Sequence, residues 1–419
     1  MRVSIRKVVF VLLVFIYVYV PPVLPISTGI IMSWFFGIYF ICNLFRIQKN
    51  LRMKEILIVV LAFLTMLMWA LASYINEYDG IKNIVPFLIN YIYILSYSVL
   101  GAIVICDLSV KLQIAERKIW MYVICAGVIQ GVLGIMAFII RPFQSILCYL
   151  LENIMTKETI ILWRNYRLYG LSCGLTFGMP IAQVLIGGMT ILYAKKYDSK
   201  FYVFLPILWG SAIINARVSL IIVAIVLACL AGAIIRKKPN FKVKRFTLIL
   251  FLTFIIVAVL GMLIIIRKGI DLGRIMDPVL EIASLLQGEI VFKTEGYLAY
   301  LFLDPKAFVI PKGKALWTGG GVWNNVSDIG YIHNLWIGGI LYSIAIYTIY
   351  IVILKRMHKK LKKEQKYLSA IVIILGTSLF VANFKGDIFG SMNEVQNLFF
   401  LLAGTILFIK GKEEKNNIE

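Results

Sequence analysis

The sequence predicts an all-α membrane protein that crosses the bilayer many times. Its residues are 61% apolar and only 15% charged, and its mean hydropathy is +0.89. Soluble domains are nearer to half apolar, so this composition excludes an ordinary soluble fold. Apolar runs of roughly 17 to 25 residues, the length that a helix needs to cross the hydrocarbon layer, recur along the whole chain. We therefore expect a single polytopic membrane domain over residues 1–419.

About twelve transmembrane helices can be placed on these runs. They fall near 8–24, 27–45, 55–75, 84–106, 119–140, 174–194, 201–216, 218–235, 247–266, 331–354, 367–384 and 393–409. The first run follows the basic segment MRVSIRK but lacks a small-residue cleavage site. We interpret it as a retained first span and not as a signal peptide.

Basic residues alternate from loop to loop. The loops RIQKNLRMK, AKKYDSK and KRMHKKLKKEQK are strongly basic, whereas the intervening loops NEYDGIKN and FKGDIFGSMNE are neutral or acidic. Basic loops stay on the cytoplasmic side, so the pattern predicts cytoplasmic N- and C-termini. The net charge of +22 is then explained by basic loops that face the anionic inner leaflet of the lipid bilayer, and no nucleic acid partner is expected. The alternative for KRMHKKLKKEQK is a surface for a cytoplasmic protein.

Two long outer loops, near 141–173 and 267–330, hold most of the remaining polar residues. Loops longer than about 12 to 15 residues in a compact protein are usually functional or disordered. Stretches such as SILCYLLENIMTKETIILW and DPVLEIASLLQGEIVF are amphipathic, which indicates short interfacial helices on the membrane surface. We therefore look for functional residues in and beside these loops.

Three arginines on the predicted outer face are candidates for binding phosphate. Arg217 lies in the tight connection between the seventh and eighth predicted spans, and Arg164 and Arg167 precede the sixth. A guanidinium group holds phosphate and pyrophosphate oxygens through paired, charge-assisted hydrogen bonds. These residues therefore indicate a lipid-linked phosphate substrate. The alternative interpretation is that they anchor the chain at lipid headgroups.

The segment TGGGVWNNVSDIGYIHNLWIGG, residues 318–339, stands directly before a long apolar run. If Asp328 or Ser327 caps the tenth span, His333 lies in its second turn, with Asn334 beside it. A histidine there can act as a general base near neutral pH or donate to a phosphate. The alternative is a hydrogen-bonded interfacial histidine. Backbone could pass close to a substrate at three supporting glycines, which are Gly319, Gly320 and Gly321.

The chain lacks the sequence motifs that are typical of several other activities. The chain contains no GxxxxGK[ST], HExxH or GxSxG motif, and its six cysteines show no metal-ligand spacing. ATP-driven transport and zinc hydrolysis are therefore unsupported, and we expect neither a metal nor another cofactor. No predicted span carries an ionisable residue near its centre, which argues against an ion-coupled transporter.

Three short blocks resemble the O-antigen polymerase and ligase superfamily, which comprises the Wzy-type polymerases of bacterial surface polysaccharide and their ligase relatives. In RLYGLSCGLTFGMPIAQVL, Arg167 is followed after ten intervening residues by Gly178. INARVSL places Arg217 at the arginine of the family's Ser-Arg helix junction. The third block, TGGGVWNNVSDIGYIHNLWIGG, is similar to the family's glycine-rich turn followed by His-Asn, here His333 and Asn334.

The chain departs from the family pattern at two places. Ala216 replaces the serine expected before Arg217, and neither Arg267 nor Arg274 is followed by glycine after ten residues.

The resemblance implies a metal-independent glycosyltransferase of the bacterial cytoplasmic (inner) membrane. It would polymerise undecaprenyl-pyrophosphate-linked oligosaccharide repeat units of capsule, exopolysaccharide or O-antigen, with a lipid-linked donor and acceptor as partners. A flippase and a chain-length regulator are the candidate protein partners. Arg217, with Arg164 or Arg167, would meet the charge that develops on the leaving pyrophosphate. His333 would accept the acceptor's proton or orient the pyrophosphate. The alternatives are a lipid-linked oligosaccharide flippase and a ligase-like glycan transferase.

Overall fold

The computed structural model describes most of the chain in several ranges. These are residues 5–22, 27–75, 91–152, 160, 170–172, 177–216, 218–235, 330–364, 368–384, 386–390 and 393–410. Within them the regular structure is helical and no β-strand forms; the one β-type contact is an isolated antiparallel bridge between Leu51 and Ile409. The predicted all-α class is therefore confirmed for the described part of the chain.

Most of the described α-helices overlap the predicted apolar runs. In chain order they are α1 (Ile5–Tyr19), α2 (Thr28–Cys42), α3 (Leu44–Asn50), α4 (Met53–Ile75), α5 (Tyr91–Lys111), α6 (Glu116–Ile139), α7 (Arg141–Leu151), α8 (Gly178–Lys196), α9 (Leu205–Asn215), α10 (Val218–Ile235), α11 (Gly330–Glu364), α12 (Ser369–Ala382) and α13 (Glu394–Ala403). A π-helical segment, Ile94–Val99, is part of α5, and another, Gly404–Phe408, continues α13.

Several described helices have the length and composition of membrane spans. Three qualify outright, Tyr91–Lys111, Glu116–Ala137 and Gly338–Lys363, and the pair α2 and α3, bent by 80°, makes a fourth if it is one broken span. This fits an α-helical membrane protein. The predicted number of about twelve spans stays a prediction, and the predicted span at 247–266 lies outside the described residues.

Helix α11 is broken at Gly339, which corrects the predicted span at 331–354. Gly339 has φ 74° and ψ −171°, and the long apolar helix begins at Gly338. Glycine adopts a positive φ without the steric cost that a side chain would bring, so the chain can turn sharply here. His333 therefore lies on a short helix in front of the long apolar helix, and the cap at Asp328 or Ser327 that would place it in a second turn lies outside the described residues.

Helices α8 and α13 lie at the centre of the bundle. All ten residues of α13 are buried, and so are the residues of α8 from Gly178 to Ala194. Helix α6 approaches α8 and α9 closely, because a Cβ at Gly127 would meet Ile186 and Leu208. Such small-residue contacts let helix backbones pack together within a membrane.

The two ends of the bundle carry different side chains. At one end, Lys410 Nζ donates to the carbonyl oxygen of Gln48, 2.8 Å away, and Arg356 donates to Glu55. At the opposite end of α11 lie three segments, 170–172, 330–334 and the described residues of 383–394 (383–384, 386–390 and 393–394), all of which the sequence predicts in or beside outer loops. We call these three segments together the polar end.

Candidate functional site

The short helix that carries His333 is docked on the connection between α12 and α13. The backbone N–H of Gly330 donates to the carbonyl oxygen of Asn383 over 2.8 Å, and the Asn383 side-chain oxygen accepts from Ile388 N–H over 3.0 Å. A Cβ at Gly330 would collide with Asn383 and with the carbonyl oxygen of Gly386. Glycine at position 330 therefore allows the helix to start directly against this connection.

His333 and Asp387 are neighbours at the polar end. His333 is only 6% exposed, although histidine is a polar residue. Burial raises the pKa of the Asp387 carboxyl above its usual 3.8, while the charge of His333 and the backbone N–H groups of Gly390 and Phe389 lower it. The N–H of Gly390 donates to Asp387 Oδ1 over 2.8 Å, which fixes the carboxylate.

A carboxylate beside a buried imidazole is a proton-transfer arrangement. A carboxylate near the ring stabilises the imidazolium that forms when the ring accepts a proton. Placed where water is largely excluded, the two groups interact more strongly than they would at a solvated surface. The pair of His333 and Asp387 can therefore serve as a general base for a bound hydroxyl group.

Asn334 is fully buried beside His333. Its Nδ2 donates to the hydroxyl oxygen of Tyr347 over 3.2 Å, and its Oδ1 has no hydrogen-bond partner in the part of the chain that the structure describes. On the same short helix, the Tyr331 hydroxyl donates to the carbonyl oxygen of Phe380 over 2.7 Å. The short helix is thus held by the Tyr347 side chain, which lies in the long part of α11, and by the backbone of α12.

The end of the first outer loop joins the same region. Ser172 Oγ donates to the carboxylate of Glu394, and the backbone N–H of Leu171 donates to Gln130 Oε1 over 3.0 Å. Glu394 and Gln130 are each only 1% exposed. Residues 170–172 therefore connect α6 to the start of α13.

The remaining predicted site residues lie outside the described residues. They are Arg164, Arg167, Arg217, Asp328, Gly319, Gly320 and Gly321. The helices around position 217 are described, and they agree with the predicted tight connection, because α9 ends at Asn215 and α10 begins at Val218. Of the predicted site, the structure thus brings together His333 and Asn334.

Sequence reasoning missed three polar residues, which are the partly exposed Asp387 and the buried Glu394 and Gln130. Asp387 belongs to FKGDIFGSMNE, which was recognised only as a short outer loop. Gln130 is a lone amide within an apolar run, and polar groups at membrane depth often face a protein partner. Among the described residues, no group of three or more His, Cys, Asp and Glu side chains could hold a metal ion.

Comparison with known proteins finds no match for this chain among family models, curated proteins or solved structures. We therefore take its function from its own residues and their geometry.

Proposed function

We propose that this chain is a polymerase of undecaprenyl-pyrophosphate-linked oligosaccharide repeat units, acting at the outer face of the bacterial cytoplasmic membrane. The observation that carries the proposal is the buried His333 beside the Asp387 carboxylate at the polar end of an apolar helical bundle. In the proposed topology the chain has about twelve spans, its N- and C-termini are cytoplasmic, and the polar end faces outward.

The proposed reaction is an attack of a sugar hydroxyl on the anomeric carbon of the lipid-linked donor. A carbon–oxygen bond forms at that carbon, the bond to the pyrophosphate oxygen breaks, and the lipid pyrophosphate leaves with the bonding electrons. His333 accepts the proton of the attacking hydroxyl, and Asp387 stabilises the resulting imidazolium. Arg217, with Arg164 or Arg167, meets the negative charge on the leaving pyrophosphate. No metal ion is required for these steps.

The distribution of charge between the two ends of the bundle supports the outward placement of the site. Arg356 and Lys410 contact Glu55 and backbone carbonyl groups at the end opposite to His333. Lysine and arginine are enriched on the cytoplasmic side of membrane proteins, which favours an outward-facing polar end. A substrate that is carried on a membrane lipid reaches such a site from the outer leaflet.

The proposal is tested by the lengths of the glycans that cells make. We expect His333→Ala, Asp387→Asn and Arg217→Ala each to cause accumulation of single lipid-linked repeat units on the outer leaflet, at matched protein levels in the membrane. Glu55→Gln, at the opposite end, is the control and should leave glycan length unchanged.

The other outcomes separate the alternatives. Normal long chains in all three site variants would refute the proposed site. Repeat units trapped on the inner leaflet would identify a flippase. Long lipid-linked chains that fail to reach a final acceptor would identify a ligase.

A further inference from the structure

The connection that carries Asp387 is held at both of its ends by the start of α8. At one end, the ring of Phe177 lies against Gly386, where it leaves no room for a Cβ. At the other end, the carboxylate of Glu394 lies against Gly178, the first residue of α8. Two consecutive residues of the chain, 177 and 178, therefore contact the two ends of the connection.

Glu394 is the residue that joins this contact to the rest of the bundle. Its carboxylate accepts from Ser172 Oγ and lies in the first turn of α13, next to the N-terminus of α8. Both helix N-termini present positive dipole ends, which stabilise a negative charge at this place. Its neighbour Asn393 caps α13 by accepting from Gln396 N–H and donates from Nδ2 to the carbonyl oxygen of Ile388 over 3.3 Å.

Gln130 extends the same series of contacts to α6. It accepts from Leu171 N–H, the residue before Ser172, and its amide fills the space where a Cβ of Gly170 would lie. The series runs from Gln130 through residues 170–172 to Glu394, and from there to the connection that holds Asp387. Each step is a hydrogen bond or a close contact, and the side chains of Gln130, Ser172 and Glu394 are buried.

We propose that Glu394 and Gln130 are positioning residues, which hold the Asp387 carboxylate beside His333 through the contacts at residues 170–172. This inference rests on the proposed function, because it assigns the purpose of the contacts to the same acid–base pair. In this scheme Glu394 and Gln130 act through Asp387.

A double-mutant cycle between Glu394 and Asp387 tests the inference. In proteoliposomes supplied with lipid-linked repeat units, we expect Glu394→Gln to lower kcat on the order of tenfold, with the KM for the donor unchanged, because only the orientation of the base is lost. In an Asp387→Asn background, Glu394→Gln should cause no further loss. A purely structural role for Glu394 would give the same fold-loss in both backgrounds and would overturn the inference.

Two volume-preserving variants have matched controls. Ser172→Ala and Gln130→Leu remove the contacts at residues 170–172 and should each lower kcat in the same direction as Glu394→Gln. Ser109 is buried near the opposite end and donates to the carbonyl oxygen of Cys106, and Gln183 is a buried amide that donates to Gly127. Ser109→Ala and Gln183→Leu should leave kcat per folded protein unchanged, and an equal loss in these controls would contradict the inference.

Thermal unfolding in detergent separates the positioning role from the polymerase function. It is measured for wild type, Glu394→Gln, Asp387→Asn and the double variant. We expect the unfolding temperatures of Glu394→Gln and Asp387→Asn to be non-additive in the double variant, whether or not the protein elongates glycans. If the unfolding temperatures are non-additive and the wild-type protein is inactive, the polymerase function is refuted, and the series of contacts from Gln130 to Glu394 is retained. Additive unfolding together with an active wild type would refute the positioning role alone.

Discussion

Asn334 donates from Nδ2 to the hydroxyl oxygen of Tyr347, 3.2 Å away, across the break of α11 at Gly339. The bond ties the short helix that carries His333 to the long apolar helix that follows. Without it, the polar side chain of a buried residue next to His333 would lose its one described hydrogen-bond partner. This single contact therefore bears on both the stability of the break and the placement of the histidine.

Removal of the Tyr347 hydroxyl should destabilise the protein. Tyr347→Phe leaves the Asn334 amide buried without its acceptor, which costs about 1 to 3 kcal/mol. Thermal unfolding in detergent measures the loss. Tyr342→Phe is the matched control, because the buried hydroxyl of Tyr342 has no hydrogen-bond partner among the described residues. We expect its unfolding temperature to stay the same or rise, and equal losses in the two variants would contradict the role of the Asn334 bond.

A side chain at position 339 should strain the break in α11. Gly339→Ala places a Cβ on a backbone with φ 74° and ψ −171°, at a cost of about 1 to 3 kcal/mol, and should also lower glycan elongation because the short helix shifts. Gly37 provides the control, since nothing lies within 4 Å of a Cβ added there. Gly37→Ala should be neutral or slightly stabilising. The expectation fails if Gly339→Ala unfolds at the same temperature as Gly37→Ala.

The carboxyl of Asp387 should make stability depend on pH. Burial raises its pKa above 3.8 in the folded protein, so the group contributes stability that is present below that value and is lost as pH rises through the raised pKa. Asp387→Asn should remove this loss. Since the charge of His333 lowers the pKa of Asp387, His333→Gln should move the loss to higher pH. Unfolding temperatures from about pH 4 to pH 7 test both signs, and parallel curves for wild type and Asp387→Asn would exclude the effect.

The ion pairs Arg46–Asp107 and Arg356–Glu55, both at the end opposite to the polar end, should differ in their contributions. Asp107 is fully buried and accepts from Arg46, Tyr39 and Asn50, so Asp107→Asn leaves several donors short of their charged acceptor and should cost about 1 to 3 kcal/mol. Glu55 pairs with Arg356 near the surface, and Glu55→Gln should cost about 0 to 1 kcal/mol. The unfolding temperatures of the two variants show which substitution destabilises the protein more. Neither change should alter glycan length per folded protein, and shortened glycans in Asp107→Asn would be evidence against a site confined to the polar end.

The predicted helices agree best where the apolar run is continuous. The run at 218–235 coincides with α10, and the run at 119–140 with α6 (Glu116–Ile139). Helix breaks were not predicted. The run at 27–45 stops at Cys42 and bends by 80° into α3, and the run at 331–354 breaks at Gly339. Hydropathy measures how apolar a stretch is, and a sharp turn inside an apolar stretch leaves that measure unchanged.

The sequence predicts only part of the candidate site, because the rest depends on contacts between residues that are far apart in the chain. His333 and Asn334 could be recognised because a histidine and its neighbours stand out beside an apolar run. Asp387 and Gln130 could not be assigned to the site, since they come from other helices or connections and meet His333 or residues 170–172 only in the folded chain. Pairing between residues far apart in one sequence leaves no local pattern.

The burial of all ten residues of α13 has a consequence for how the protein is made. This central helix is the last one in the described chain, so the ribosome completes it after every helix that surrounds it. Before α13 is inserted, the nascent bundle contains a gap lined by polar groups. Among them are the Tyr350 hydroxyl and the Ser98 side chain, whose hydrogen-bond partners in the folded protein are Gln396 and Asn397. Insertion of α13 fills this gap, so the core is completed only after the described helices that precede α13 in the chain.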